Sequence, residues 1–188
     1  MPRSPRETRV RILTTAYKLF YRNGFARVGV DEIAEQTGVT KRTLYYHFES
    51  KDQLLAAVLD FQHALALSQV QNSMRRVTGN AEALVRSLFS EFAEWASKPR
   101  WTGAGFTRLV MELADQPGHP ARAIASRHKA AVEAWLAQEL AKRKVKSPHA
   151  RAREVVLLLE GTNALMLIHR ERPYAEAAAE AAARLLRL

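Results

Sequence analysis

Eight side chains between residues 40 and 51 share the chemistry needed to hold a polyanion: Thr40, Lys41, Arg42, Thr43, Tyr45, Tyr46, His47 and Lys51. Lysine supplies a point charge, and arginine a planar fork that fits a phosphate or the O6 and N7 edge of guanine. The threonine and tyrosine hydroxyls and the imidazole add hydrogen-bonding groups. No comparable set suggests bond-breaking chemistry. The chain has no His-Glu-x-x-His, no glycine-rich phosphate loop with its lysine and no Gly-x-Ser-x-Gly, and its histidines at 47, 63, 119, 128, 149 and 169 do not fall at metal-ligand spacing. With no cysteine, there is no thiolate nucleophile, zinc thiolate or disulfide frame. The expectation is a binding protein, not an enzyme, with no cofactor and no metal.

A surface of this kind needs a rigid support. The segment from Val30 to Phe48 fits a helix-turn-helix position by position. Ala34 is small where two helices cross closely, Gly38 suits a left-handed turn, and Ile33, Val39 and Leu44 can bury between the helices. Thr40 can cap the second helix, whose first turn then presents Lys41 and Arg42 at its positive end. An ordinary helical hairpin with polar residues facing water is the alternative. Tyr45, Tyr46 and His47 argue against it, because on a short helix at least one must point away from the core, where Glu or Lys would be the cheaper choice.

The 188 residues are 47% hydrophobic and 26% charged, with 8 Gly and 7 Pro, which excludes collagen-like and wholly disordered chains and leaves enough apolar surface for a core. A net charge of +10 favours an anionic partner. Residues 1–51 hold 10 basic against 5 acidic side chains and the longer remainder 19 against 14, so positive charge is denser at the start. No apolar run reaches the ~18 residues of a spanning helix, and Met1–Arg11 has no apolar signal-like core. A cytoplasmic protein without a membrane partner is expected.

Helical spacing runs through the whole chain and no alternation argues for a strand. Ser4-Pro5-Arg6-Glu7 is a capping box opening a helix at Pro5, with Ile12, Ala16, Leu19 and Phe20 as its buried stripe and Gly24 as a left-handed cap. Short helices follow over Val30–Thr37 and Thr40–Phe48. Ser50-Lys51-Asp52-Gln53 is a second capping box, opening a long connector to about Ser73. Further helices are expected over Ala81–Ala96, Ala104–Asp115, Pro120–Lys142, Pro148–Arg170 and Pro173–Leu188. The basic run from Lys142 to Lys146 reads as a solvated loop. The fold class is all-α with about nine helices, divided into a helix-turn-helix domain at residues 1–52 and a larger helical domain at 53–188.

Gly24-Phe25, Ile33-Ala34, Gly38-Val39-Thr40, Thr43-Leu44-Tyr45-Tyr46-His47-Phe48, Ser50-Lys51 and Leu54-Leu55 together resemble the DNA-binding domain of the TetR family of bacterial transcriptional regulators, over residues 5 to about 60. The resemblance implies that Lys41, Arg42 and Tyr45 face bases in the major groove, while Thr40, Thr43, Tyr46, His47 and Lys51 hold phosphates. Two positions depart from the pattern. Gly29 stands where Ser or Thr usually caps the first short helix, which loses a hydroxyl but costs only a few tenths of a kcal/mol. Arg42 stands where many relatives have a small residue, and its fork suits either guanine or phosphate.

Beyond residue 60 the resemblance is architectural. Val155–Leu159 and Ala164–Ile168 are apolar all round, as in a helix covered on every side, and the last helix is rich in alanine with Leu185, Leu186 and Leu188 at its end. These two helices, 148–170 and 173–188, from each of two chains would form a four-helix homodimer interface. Candidates for a small-molecule effector site are Phe92, Trp95, Trp101, Phe106, His128, Trp135, Asn163 and Met166, although core packing is the ordinary role for each. An apolar cavity of about 300 Å³ or more is expected near Trp95, Phe106 and Trp135. Glu160 and Asn163 interrupt an apolar helix and must find polar partners. The function implied is a ligand-responsive dimeric repressor on a palindromic operator. The alternatives are a sequence-nonspecific architectural DNA binder and, more remotely, a helical enzyme or carrier with a decayed DNA domain.

Overall fold

The computed structural model describes residues 4–187. These form nine helices and no strand: α1 (Pro5–Asn23), α2 (Val30–Thr37), α3 (Lys41–His47), α4 (Lys51–Met74), α5 (Ala81–Ala96), α6 (Gly105–Met111), α7 (Pro120–Lys142), α8 (Pro148–His169) and α9 (Pro173–Leu185). The first three residues and Leu188, the expected end of the last helix, lie outside the described residues.

Local signals set most boundaries. Ser4 caps α1 reciprocally, its Oγ accepting from the Glu7 N–H at 3.2 Å and its own N–H donating to the Glu7 carboxylate at 2.9 Å. The second capping box is only half formed. Ser50 Oγ accepts from the Gln53 N–H at 3.0 Å, but Gln53 Oε1 takes the N–H of Glu49, at 2.7 Å, instead of that of Ser50. Gly24 also departs from expectation. It has φ 89° and ψ 154°, a conformation open essentially to glycine alone but not the left-handed helical cap. The sixth helix is shorter than expected, because after Met111 the Leu113 and Ala114 N–H groups reach back three residues, to Val110 and Met111, tightening the chain out of the α form.

Packing divides the chain into two compact units. One comprises the residues up to Leu65 with Gly105–His128, and the other Ala66–Ala104 with the residues from Lys129 onward. In the first, α1 packs on α2 and α6, and α2 on α3. Ile12, Leu13, Ala16 and Phe20 of α1, Ile33 and Leu44 of the short helices and Leu54, Leu55, Val58 and Leu59 of α4 are all buried. Gly38 closes α2 at φ 66° and ψ 42°, its N–H directed at the Ala34 and Glu35 carbonyls. Nothing lies within 4 Å of where a Cβ would stand, so only backbone strain opposes a side chain there. Gly38→Ala is expected to cost about 1 kcal/mol, read as a lower urea midpoint with an unchanged m-value.

The second unit is organised around α5, α8 and α9. Leu84, Val85 and Phe89 of α5 pack with Leu136 and Leu140 of α7, Val155 of α8 and Ala179, Ala182 and Ala183 of α9. The alanines let α9 approach α5 closely, and Arg86–Glu180 (2.6 Å) and Arg187–Glu82 (2.8 Å) pair across the same contact. Such exposed pairs add little stability but fix register. Within one chain α8 is not covered on every side. Ala152, Val155, Thr162, Asn163 and Met166 face inward, whereas Leu157 (67% exposed) and Ile168 (70%) continue, through Gly161 and Ala164, an apolar stripe open to solvent.

Candidate nucleic-acid interface

Two short helices of eight and seven residues hold the candidate surface. Neither is stable alone, so tertiary burial must fix both. Ile33 and Leu44 are fully buried, Phe48 and Ala34 nearly so, and the Thr37 hydroxyl satisfies itself by donating to the Ile33 carbonyl at 2.6 Å. The turn is closed by the Val39 N–H on the Ala34 carbonyl at 3.0 Å. Thr40 then caps α3, its Oγ1 accepting from the Thr43 N–H at 3.1 Å and lying 2.8 Å from the Thr43 hydroxyl.

With Leu44 and Phe48 turned in, Lys41, Arg42, Tyr45 and Tyr46 are exposed, while Thr43 and His47 are half-buried. Tyr46 is 79% exposed and meets the His47 ring edge-on at 5.2 Å. Arg42 has no ion-pair or hydrogen-bond partner among the described residues. Lys41 does: its ammonium lies 2.9 Å from the Asp31 carboxylate of α2. That hydrogen bond and its charge raise the lysine above its ordinary pKa. Lys51 is engaged differently, its ammonium 4.3 Å over the Phe25 ring and 3.4 Å from the Ala26 carbonyl. Burial is the main cause that lowers its pKa, against opposing pulls from Asp52 and Glu112. The backbone beside it is pinned by Glu112, whose carboxylate accepts from the Ala26 N–H at 3.0 Å.

Sequence reasoning missed Asp31, Glu112 and Arg9, whose guanidinium lies 5.0 Å over Phe48. An acid in the first turn of α2 is the only local sign of the Asp31 contact. Glu112, 86 residues from Ala26, has no local sign at all.

The eight effector candidates separate into different places. Phe92, Trp95 and Asn163 line one cavity of about 380 Å³ in the second unit, with Glu91, Lys129 and Glu160 among the other walls. Trp101 is buried beside it, edge-on to Phe92 at 6.1 Å and to Trp95 at 5.7 Å. The cavity does not reach Phe106 or Trp135. Trp135 is taken up in the α5–α7–α8–α9 core, and Met166 packs with Ala93, Ala96, Trp101 and Ala175. Phe106 and His128 belong to the first unit, where their rings stack at 3.8 Å and His128 Nδ1 lies 3.1 Å from His63 Nδ1. Among the described residues, no three metal-ligating acids or histidines converge, and no helix is long and apolar enough to cross a membrane.

Residues 12–58 match the family described as bacterial regulatory proteins, tetR family. The transcriptional activator FasR of Mycolicibacterium smegmatis is 37% identical over 99 residues, which is 51% of this chain and 45% of FasR. The chain spans about half or less of the length of the curated relatives it matches. A TetR-family transcriptional regulator from Streptomyces coelicolor superposes with a TM-score of 0.82 at 27% identity, over 99% of this chain and 97% of that one. The reduced form of Escherichia coli NemR gives 0.85 at 22%, over 94% and 95%, a likeness of fold. Residues 12–58 therefore form a helix-turn-helix domain of the tetR family of bacterial regulatory proteins, carried in a nine-helix fold that matches those of the superposed structures.

Proposed function

We propose that this chain is a cytoplasmic transcriptional repressor that binds a palindromic operator as a homodimer and is released by a small-molecule effector. The observation that carries the reading is the division of labour on α3: Leu44 and the adjoining Phe48 are buried, while Arg42, Tyr45 and Tyr46 stand exposed with the cations Lys41 and Arg42 in the first turn. A recognition helix needs this arrangement, since its N-terminal residues must reach base edges while its body stays fixed. Arg42 and Tyr45 are assigned to bases with Lys41, and Thr40, Thr43, Tyr46, His47 and Lys51 to phosphates. The functional division at residues 52 and 53 follows from these assignments.

Dimerisation is assigned to α8 and α9, because the open stripe of Leu157, Gly161, Ala164 and Ile168 has the spacing and small residues of a helix-packing face. The effector is assigned to the 380 Å³ cavity, within the size range of small-molecule sites. Helix α4 carries Lys51 in its first turn and Gln69, Val70 and Ser73 on the cavity wall, so a ligand that shifts α4 would change the separation of two recognition helices.

Selecting duplexes from a random-sequence pool at fixed salt tests the reading. A palindromic consensus bound ~10³-fold or more tighter than random DNA is the expected result. No enrichment, with equal affinity for all duplexes, would instead make the chain an architectural binder.

A further inference from the structure

The cavity's lining carries more chemical information than its size. Leu88, Phe92, Trp95, Val132 and Leu159 give it apolar walls, and three polar features interrupt them. Asn163 is the first. Only 6% exposed, it accepts the Ala104 N–H on Oδ1 at 2.8 Å, and that donor fixes which way the amide faces. Its Nδ2 is left with two N–H donors and no acceptor among the described residues. These N–H groups reach accessible space at the cavity wall and are free to donate to an oxygen on whatever fills it.

The second feature is the ion pair of Lys129 and Glu160, each side chain one-third exposed. Each neutralises the other, so the only cation among the lining residues is already spoken for. The third is Glu91, which has no ion pair or hydrogen bond among the described residues and lies one helical turn before Trp95 on the same face of α5. The lining therefore holds one uncompensated negative charge, set beside an indole that is 38% exposed. The faces of such rings attract cations. The neighbouring Trp101 already has the Arg170 guanidinium 5.5 Å over its ring, which leaves Trp95 as the open one.

Resting on the reading of this cavity as the effector site, we propose that it takes an organic cation with an apolar, ring-bearing body and one hydrogen-bond-accepting oxygen. The cationic head sits between Glu91 and Trp95, the body fills the space lined by Phe92, Val132 and Leu159, and the oxygen accepts from Asn163 Nδ2. An anion fits poorly. It would have to break the partly buried Lys129–Glu160 pair and lie near Glu91. A neutral molecule of the same shape keeps the apolar contacts and loses the charge.

Four probes of similar size separate these contributions. Benzoylcholine has ring, carbonyl and cation. Its carbon isostere 3,3-dimethylbutyl benzoate lacks the charge, (4-phenylbutyl)trimethylammonium lacks the oxygens, and hippurate carries the opposite charge. Binding is followed by tryptophan fluorescence on the full chain at fixed salt, and DNA release by anisotropy with the duplex obtained from the random-pool selection. Benzoylcholine is expected to bind about tenfold tighter than its neutral isostere and about tenfold tighter than the oxygen-free cation. Glu91→Gln, a change at an exposed position, should bring the first ratio close to one and leave the second in place.

Equal or tighter binding of hippurate or the neutral ester would overturn the assignment, as would an unchanged ratio in Glu91→Gln or no fluorescence response to any probe at millimolar concentration. If hippurate or the neutral ester binds and releases DNA, the effector-site reading survives without the cation. If benzoylcholine binds through Glu91 but leaves DNA affinity untouched, the cation site stands and the effector reading fails.

Discussion

Leu157→Glu combined with Ile168→Glu is expected to turn the proposed homodimer into monomers at micromolar concentration and to weaken operator binding by about 100-fold or more. In the single chain these side chains are 67% and 70% exposed, so a carboxylate at either position leaves the fold almost untouched, within about 0.5 kcal/mol. In a two-fold interface the same substitutions bury four carboxylates without partners. Each costs several kcal/mol, more than a helix-packing interface of ordinary size can absorb. The separation between the two effects makes the experiment informative. A halved sedimentation mass is the expected result, with the chain still folded and unfolding cooperatively, at a midpoint lowered only by the loss of the partner's stabilisation and no longer dependent on protein concentration. The loss on DNA follows from geometry, because one helix-turn-helix fills one half-site and forfeits the effective concentration that the second gains from the first. A double variant that remains dimeric would move the interface elsewhere on the chain.

What could be read from the sequence was local. The N-caps at Ser4 and Thr40, the glycine turn at Gly38 and the prolines opening α7, α8 and α9 each act within a few residues, and all appear as the spacing predicts. The apolar faces of α1, α2 and α3 were legible for a related reason: burial on one side of a helix leaves a period in the sequence. Errors arise where a neighbour distant in sequence competes with a local rule. Gly24 abandons the helical cap where its Cα faces the Glu112 carboxylate, against which a Cβ would stand at 3.0 Å. The same carboxylate takes the Ala26 N–H, a contact with no sequence period to reveal it.

The aromatic candidates show the limit from the other side. Phe92, Trp95, Phe106 and Trp135 are alike in type, yet the first two line a cavity, the third stacks on His128 and the fourth fills a core. Residue type marks a side chain as able to line a pocket, but which space it faces is set by helix packing. Glu91 and Lys129, both on the cavity wall, look like ordinary surface residues of α5 and α7 until packing places them there and α8 brings Glu160 against Lys129, leaving Glu91 as the net charge.

On the DNA face the expected effects differ in kind between two cations only nine positions apart. Arg42 is exposed and has no ion-pair or hydrogen-bond partner among the described residues, so none of them competes for its fork. Arg42→Ala should cost about 1 to 3 kcal/mol on the operator and much less on random duplex, with folding unchanged. Lys51 is partly buried, its ammonium held over the Phe25 ring and near the Ala26 carbonyl. That position suits a fixed charge that meets phosphate, and substitution to alanine would also strip packing from Phe25. Lys51→Met keeps the aliphatic stem and removes only the charge. It should weaken operator and random DNA alike and reduce the salt slope by about 1 for each monomer, because one fewer counterion is displaced. Titrating both variants against both duplexes at two salt concentrations separates the roles. Equal losses for Arg42→Ala on both duplexes would place its guanidinium on phosphate, and base reading would then fall to Lys41, Tyr45 or both. For Lys41 that would mean giving up the Asp31 carboxylate 2.9 Å away when the helix enters the groove.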